Sequence, residues 1–440
     1  MRLARAIWAL PVALVVGALG ARGLLSLAPA AIATDLAQPL VVANTWHAYG
    51  ALQLAMLALA VAGGGIVYFG LLRAVASGRA TISVGSIVGL AAVGLIGALA
   101  WPFVFSSDVY AYATYGDLAA RGLDPYAHAS IFPADATVRA ALWQWGGAIP
   151  ACVYGPLFVD LASGVTSAFG SFGTFAQLFA LRALACASLL ACAPLAFAAF
   201  AGRLKSERTF AAAAIGLNPL AIWSAAEGHN DALVLAVALA GFALARRYGP
   251  FVGALLATIS LGVKAPGLLA AFGIAVAYRA PSRALVHALS GIAVGGALVA
   301  LACLPYAGGL LAVGARGHYL PTISLQAIWP PLGVAAALAA LGFGLRAVLR
   351  GDSGGWPLAA LGLWLAIPNP QPWYGLWFLP IAALAPRSPA AWVLVGLSLT
   401  TVLRYIPDAV AIPSYPLDLA FTLIAFAPLL LLWPHSRSTS

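Results

Sequence analysis

The feature that most restricts this chain is the recurrence of long apolar runs with few or no charged side chains. Such runs lie near 46–73, 82–104, 209–226 and 284–306, among others. A run of this length is long enough to cross a bilayer, where only a helix satisfies its own backbone hydrogen bonds. The sequence therefore predicts an all-α, polytopic transmembrane helical bundle of about 11–14 membrane segments, some of them half-length or re-entrant.

The composition excludes a water-soluble fold. Hydrophobic residues make up 63% of the chain and charged residues 8%, against about 25% charged residues in an ordinary globular domain. The net charge is +10, but the basic residues sit singly or in pairs between apolar runs, which is typical of membrane topology and not of a nucleic-acid surface. We therefore expect the lipid bilayer as a partner and no nucleic acid.

One break in the apolar pattern decides the orientation. The segment 250–278 carries Lys264 and Pro266 near its centre. Each half of about 14 residues reaches only about 21 Å, short of a ~30 Å hydrocarbon core. A hairpin at Lys264 leaves most Arg and Lys residues on the cytoplasmic side, whereas a single span divides them almost evenly, so the positive-inside rule favours the hairpin.

The same rule makes 152–169 a re-entrant or half-length element that enters from outside. Broken helices are tolerated where they line protein or water, so both breaks predict a cavity open to the outer face. The run Ile7–Leu27 is interpreted as an uncleaved first helix, and both termini are then cytoplasmic. The chain 1–440 is predicted to be a single polytopic membrane domain with one long external loop at 105–150.

That loop carries the best candidate for a catalytic carboxylate. Residues 108–121 suit a short interfacial helix capped by Ser107, with Asp108 and Tyr112 on one face. Asp117 lies about 180° away at about 100° per residue, so only one aspartate can face the cavity. Asp108, directly at the membrane exit, is the candidate, and a solvated carboxylate beside an aromatic belt is the alternative.

A second polar cluster separates two apolar helices. Within it Glu227, Asn230 and Asp231 are predicted to share a helical face while His229 points away. Ionisable groups at a membrane boundary usually indicate function, with a plain turn as the alternative. Lys264, in its helix break, suits a phosphate, with a lysine snorkelling to the interface as the alternative.

Aromatic residues follow a further break near the C-terminal end. Trp373 and Tyr374 begin a short helix that faces outside and could stack on sugar faces or on an isoprenoid. Membrane-interface anchors are the alternative. No His, Cys, Asp and Glu cluster has metal-ligand spacing, so we expect neither a metal nor another cofactor.

Taken in order, these motifs resemble the GT-C integral-membrane glycosyltransferases, in particular the polyprenol-phosphate-mannose-dependent α-1,6-mannosyltransferases. The resemblance covers residues 105–375 and rests on Asp108-Val109-Tyr110, Gly122-Leu123-Asp124-Pro125-Tyr126, Tyr154-Gly155-Pro156-Leu157, Asn218-Pro219, Gly228-His229-Asn230-Asp231, Lys264 before Pro266, and Gln371-Pro372-Trp373-Tyr374. Many GT-C enzymes carry paired acids in the first large loop, whereas Asp108 follows two serines.

The resemblance implies a glycosyltransferase of the bacterial cytoplasmic (inner) membrane that faces outside or the periplasm. Its donor would be a hexose, mannose first, on a polyprenyl phosphate, and its acceptor a glycan or a lipid-linked glycan. Polyprenyl phosphate is a good leaving group, so the reaction needs a base for the acceptor hydroxyl and positive charge at the phosphate. One carboxylate acting in a single displacement predicts inversion at the anomeric carbon.

These needs assign a role to each candidate residue. Asp108 is the expected base and Lys264 the expected phosphate contact, with Arg404 and Arg316 as candidates for a second contact. The sugar or acceptor site is expected to comprise Glu227, His229, Asn230, Asp231, Tyr112, Trp373 and Tyr374.

A secondary transporter or a flippase for a lipid-linked sugar or anion is the alternative class. A transporter also uses broken helices and charges within the membrane, but it predicts paired interruptions in two repeated halves. No such repeat is present in the sequence, and the aspartate-rich external loop is unusual for alternating access. A protein that only binds a lipid-linked sugar would keep Lys264 without needing Asp108.

Overall fold

The computed structural model describes residues 63–100, 106, 108–127, 150–278, 282–316, 324–368, 370–404 and 415–432. Every regular element within these ranges is helical, which confirms the predicted all-α class. The predicted first helix at Ile7–Leu27, the distal part of the external loop at 128–149 and both chain termini lie outside the described residues.

The helices of the described ranges are numbered in chain order. They are α1 (Gly63–Ala76), α2 (Val84–Ala100), α3 (Asp108–Ala120), α4 (Pro156–Phe169), α5 (Thr174–Ala199), α6 (Lys205–Gly216), α7 (Pro219–Ala226), α8 (Asp231–Tyr248), α9 (Pro250–Ile259), α10 (Gly267–Ala277), α11 (Ser282–Cys303), α12 (Ala307–Arg316), α13 (Leu325–Ile328), α14 (Pro330–Leu349), α15 (Gly355–Ala366), α16 (Gly375–Ala382), α17 (Pro389–Thr400) and α18 (Tyr415–Ala425).

Both full-length and half-length apolar helices occur in the described part of the chain. Three segments are long and apolar enough to cross a membrane: Thr174–Ala199, Ser282–Ala312 and Pro330–Leu349. The pair α6 and α7, bent by 43° at its break, makes a fourth when taken as one span. The other apolar helices are shorter, so the bundle contains the half-length members that the sequence predicts.

The break at Lys264 is a helical hairpin. Gly241 of α8 packs against Ala257 of α9, and the ring of Phe242 on α8 reaches Gly273 of α10, so both arms contact the same stretch of α8. A Cβ on Gly267 would overlap the backbone of Ser260 and Leu261, so glycine is required where the chain reverses. The tip of the hairpin, with Lys264, lies at the Asp231 end of α8, and Arg246 and Arg247 lie at the other end.

Two short helices sit on this tip. Gly155, which precedes α4, donates its N–H to the carbonyl of Val263 at 2.9 Å, and a Cβ on Gly155 would overlap the Gly262 carbonyl. Helix α3 packs parallel to α4, with Gly116 directly against the backbone of Ala162. The N-terminal ends of α3 and α4 therefore lie beside the hairpin tip.

The main apolar core surrounds α6, whose residues Ala211–Ile215 are fully buried. A buried polar contact fixes the bend that follows. The Asn218 side chain accepts from the N–H groups of Leu220 and Ala221 and so caps α7, while its Nδ2 donates to Ser398 Oγ at 2.8 Å. A cap of this kind contributes about 1 kcal/mol. Pro219, as the first residue of α7, needs no N–H partner there.

Candidate active site

The polar turn after α7 is built by one glycine. Gly228 has a φ of +93°, its N–H donates to the Ala225 carbonyl, and the His229 N–H donates to the Ser224 carbonyl, both at 3.0 Å. These two bonds are those of a Schellman motif, which ends a helix with a left-handed residue. A Cβ on Gly228 would lie 2.9 Å from Val109 Cγ2. The motif therefore places His229 beside the start of α3.

His229 lies at the centre of the site. Its Nδ1 is 3.5 Å from Asp108 Oδ2, its Nε2 is 3.9 Å from Glu227 Oε2, and the side chain is 1% exposed. The ring stacks on Trp373 with centroids 3.9 Å apart. Burial, only partly offset by Asp231, lowers the pKa of His229 to about 3. The imidazole is therefore neutral at physiological pH.

This arrangement corrects one prediction. A continuous helical face would hold Glu227, Asn230 and Asp231 together and point His229 away. The positive φ of Gly228 breaks that helix, so His229 turns toward Glu227, while Asp231 opens the next helix and points to a different partner.

Asp108 is the first residue of the predicted interfacial helix, which forms as α3. Its N–H donates to Ser106 Oγ at 3.1 Å, whereas Ser107, the predicted cap, lies outside the described residues. The hydroxyl of Tyr154 donates to Asp108 Oδ2 at 3.3 Å. The carboxylate is 16% exposed. As the helical period predicts, Asp117 is elsewhere and pairs with exposed Arg121.

Polar atoms without partners line a cavity beside Asp108. Within the described ranges, the Tyr112 hydroxyl and both amide atoms of Asn230 are buried and make no hydrogen bond. The cavity has a volume of about 10 Å³, room for about one water molecule, and its other lining residues are Phe158, Leu181, Leu184, Ala185, Gly228 and Leu233.

Lys264 is paired with a carboxylate. Its Nζ lies 2.9 Å from both oxygens of Asp231, whose side chain is fully buried. Asp231 Oδ1 also accepts from Trp377 Nε1 at 2.7 Å. The rings of Tyr154, Tyr374 and Trp377 lie 5.2–5.5 Å from the ammonium and surround it. The lysine predicted to contact a phosphate thus holds an anionic partner from its own chain.

Some site residues were missed by the sequence analysis. Trp377 is four residues after Trp373, a spacing that places both on one helical face and could have signalled it. Arg182 lies within a span and donates from Nε to the Ala226 carbonyl at 2.6 Å, so it holds the last turn of α7. An arginine inside a membrane helix is itself a functional signal.

Other predicted residues stand as follows. Tyr374 stacks on Trp377 with centroids 4.0 Å apart. The side chains of Arg316 and Arg404 lie outside the described part of the structure. Among the described residues, no group of three or more His, Cys, Asp or Glu side chains could hold a metal ion.

Comparisons with known proteins match this chain to one family. Residues 4–280 match the family model "Alpha-(1->6)-mannopyranosyltransferase, N-terminal domain". The chain is 28% identical over 348 residues to Alpha-(1->6)-mannopyranosyltransferase A of Mycobacterium tuberculosis, covering 69% of this chain and 66% of the relative. It is 27% identical over 358 residues to a probable alpha-(1->6)-mannopyranosyltransferase of Mycolicibacterium smegmatis, covering 65% and 63% respectively.

The chain therefore spans just under two thirds of the length of these relatives. No solved structure matches it. The region matched by the family model contains Asp108, His229 and Lys264, and it ends before Trp373 and Trp377.

Proposed function

We propose, from the premise that this chain belongs to the α-(1→6)-mannopyranosyltransferase family, that it transfers a hexose, mannose first, from a polyprenyl-phosphate-linked donor to a glycan or lipid-linked acceptor. Two named relatives are mannopyranosyltransferases. The family membership and the transferase names do not favour the transporter or flippase alternative.

The observation that carries this proposal is the position of Tyr154. Its hydroxyl contacts the Asp108 carboxylate, and its ring lies 5.4 Å from Lys264 Nζ. One side chain thus joins a partly exposed base to the ammonium of the buried Lys264–Asp231 pair. A transfer from a sugar phosphate needs these two groups on either side of the reacting carbon.

The proposed reaction is a single displacement. Asp108 removes the proton from the acceptor hydroxyl as that oxygen attacks the anomeric carbon. The bond from this carbon to the phosphate oxygen breaks, and the polyprenyl phosphate leaves with the electron pair. Attack from the face opposite the leaving group inverts the anomeric carbon, so the product has the anomeric configuration opposite to that of the donor.

The remaining residues bind. Lys264 stabilises the departing phosphate, with Arg316 and Arg404 as further contacts. Asn230 and Tyr112, whose buried polar atoms lack partners among the described residues, hydrogen-bond the sugar or the acceptor. Trp373 and Tyr374, together with Glu227, His229 and Asp231, complete the walls of this site. No metal or other cofactor is part of the proposal.

The charges of α8 support the proposed orientation. This helix has Asp231 in its first turn and Arg246 and Arg247 in its last turn. The positive-inside rule places the arginine end in the cytoplasm. The site at the other end then faces outside or the periplasm, where a lipid-linked donor is used.

The test compares variants in membranes from an overexpressing strain supplied with radiolabelled polyprenyl-phosphate-mannose. Asp108→Asn should reduce label transfer by about 10²–10⁴-fold, since a general base contributes about this much. The matched control Asp117→Asn, on the opposite face of the same helix, should transfer normally. Full activity of Asp108→Asn at normal membrane levels would refute the proposed role of Asp108.

Two further outcomes decide the class and the stereochemistry. No transfer by any form, with mannose and other polyprenyl-phosphate sugars and with candidate acceptors present, would favour the transporter or flippase. A product with the donor's anomeric configuration, determined by NMR, would refute the single displacement.

A further inference from the structure

Asp108, His229 and Glu227 form an acid–imidazole–acid chain. The imidazole lies between the two carboxylates, with Nδ1 3.5 Å from Asp108 Oδ2 and Nε2 3.9 Å from Glu227 Oε2. Asp108 is 16% exposed, whereas His229 and Glu227 are only 1% and 4% exposed. Only Asp108 is therefore placed to meet an acceptor hydroxyl, and the other two groups lie behind it.

The geometry of this chain is fixed from several sides. The Schellman motif sets the backbone of His229, and Trp373 covers one face of its ring. Glu227 Oε1 accepts from Trp223 Nε1 at 3.0 Å, one turn back on α7. That bond leaves Oε2 as the oxygen that faces the imidazole.

A neutral imidazole carries one N–H and one lone pair, so it cannot donate to both carboxylates at once. Within the described residues, neither ring nitrogen makes a hydrogen bond. With the proton on Nε2 facing Glu227, the Nδ1 lone pair faces Asp108. This contact is unfavourable while Asp108 is a carboxylate and becomes a hydrogen bond when Asp108 carries a proton.

We propose that Glu227 stores the proton taken from the acceptor, and that His229 passes it there from Asp108. This inference rests on the proposed function, in which Asp108 is the base. The acceptor O–H breaks and its proton binds Asp108. In the same step Asp108 passes this proton on to Nδ1 while Nε2 gives its own proton to Glu227 Oε2.

The step balances in protons and charge. The chain begins with two carboxylates and one imidazole N–H, and it ends with the Asp108 carboxylate accepting from Nδ1–H and the Glu227 carboxyl donating to Nε2. Its charge rises by the one proton gained, and the electron pair of the broken sugar–phosphate bond leaves on the polyprenyl phosphate. The proton returns by the reverse route to water when the product departs.

Other charged and titratable groups face this chain. Asp231, Lys264, Tyr112 and Tyr154 approach from α8, the hairpin tip, α3 and the start of α4. Arg182 of α5 contacts Gly228 through its Cγ. Burial keeps the imidazole neutral, which is the form that a relay needs because only a neutral ring can accept and donate in the same step.

The test uses the full chain, purified in detergent, in single-turnover transfer from polyprenyl-phosphate-mannose. Glu227→Gln keeps a carbonyl oxygen for Trp223 but cannot take a proton. We expect its transfer rate to fall by about 10–100-fold, at or below the lower end of the range for general acid–base groups, with no change in the donor concentration that gives the half-maximal rate. Asp117→Asn, at a partly exposed position on the opposite face of α3, is the control and should retain the wild-type rate.

The proton inventory distinguishes a relay from a structural role. In mixtures of H₂O and D₂O, the wild-type rate should curve with deuterium fraction because more than one proton moves, and the Glu227→Gln rate should vary linearly. A linear wild-type inventory, or a wild-type rate for Glu227→Gln, would overturn the relay. If Glu227→Gln does not accumulate, His229→Gln replaces it, with the same expected loss of rate and curvature.

The two proposals fail separately. Full transfer by Asp108→Asn would remove the proposed base and the relay with it. An inactive Asp108→Asn beside a fully active Glu227→Gln would overturn only the relay.

Discussion

Replacing Asp231 by Asn would leave the Lys264 ammonium buried without its anionic partner. Both carboxylate oxygens lie 2.9 Å from Nζ, and the two side chains are 0% and 10% exposed. At that distance and an effective dielectric constant of about 20, the attraction is about 6 kcal/mol. Since removing one partner of a buried pair leaves an uncompensated charge, we expect Asp231→Asn to lower the free energy of unfolding by about 3–5 kcal/mol.

A second pair in the same protein serves as the control. Arg121 and Asp117 also meet at 2.9 Å, but their side chains are 64% and 24% exposed. Exposed pairs contribute under about 1 kcal/mol. Asp117→Asn should therefore change the free energy of unfolding by no more than that, although the interatomic distance is the same.

The assay is reversible unfolding in mixed detergent micelles, applied to Asp231→Asn, Lys264→Met and the double variant. Removing both charges removes the uncompensated one, so the double variant should be more stable than Asp231→Asn and the three should give a coupling energy of at least about 2 kcal/mol. Additive effects of the two substitutions would refute the reasoning. So would a loss for Asp231→Asn no larger than that for Asp117→Asn.

Gly228→Ala should lower stability in a thermal melt by about 1–3 kcal/mol more than Gly173→Ala. Both glycines have a positive φ, but only a side chain at Gly228 would clash, with Val109, so equal losses would contradict this prediction. Folding lowers the pKa of His229, so its contribution to stability is complete above about pH 6.5 and falls by about 1.4 kcal/mol per pH unit between 6.5 and about 3. The free energy of unfolding, measured at pH 7.5 and 5.5, should show this loss in the wild type and a smaller loss in His229→Gln. Equal losses in the two proteins would contradict the prediction. Gly155→Ala should reduce folded yield on size-exclusion chromatography because its Cβ overlaps the Gly262 carbonyl, whereas Gly164→Ala, with open space, should not; normal yields for both would contradict the contact.

Much of the fold follows from local sequence patterns. The apolar runs are long enough to require helices, and the position of Lys264 and Pro266 between two half-length runs predicts the hairpin that the structure contains. The separation of Asp108 from Asp117 follows from the helical period alone. These predictions succeed because each depends on residues close together in the chain.

The candidate site is harder to predict because its contacts are distant in sequence. The Lys264–Asp231 pair joins residues 33 positions apart, and the Trp377–Asp231 bond joins residues 146 positions apart. The prediction for the polar turn at 227–231 was wrong for another reason. Gly228, with its positive φ, ends the helix between Glu227 and His229, so the two side chains do not follow helical spacing. From the sequence alone, such a glycine cannot be told from one within a helix.

Asp231 and Glu227 are close in sequence, but their carboxylates contact different partners. Asp231 begins α8 and meets the ammonium at the hairpin tip, so its charge is neutralised and its position is fixed. Glu227 ends α7 four residues earlier and meets Trp223 and the neutral His229 instead. An acid held by an ammonium at 2.9 Å is a poor proton acceptor, so Asp231 is suited to hold Lys264 and not to take up a proton. The division of roles between the two residues therefore arises from the helix break that Gly228 imposes, not from their own chemistry.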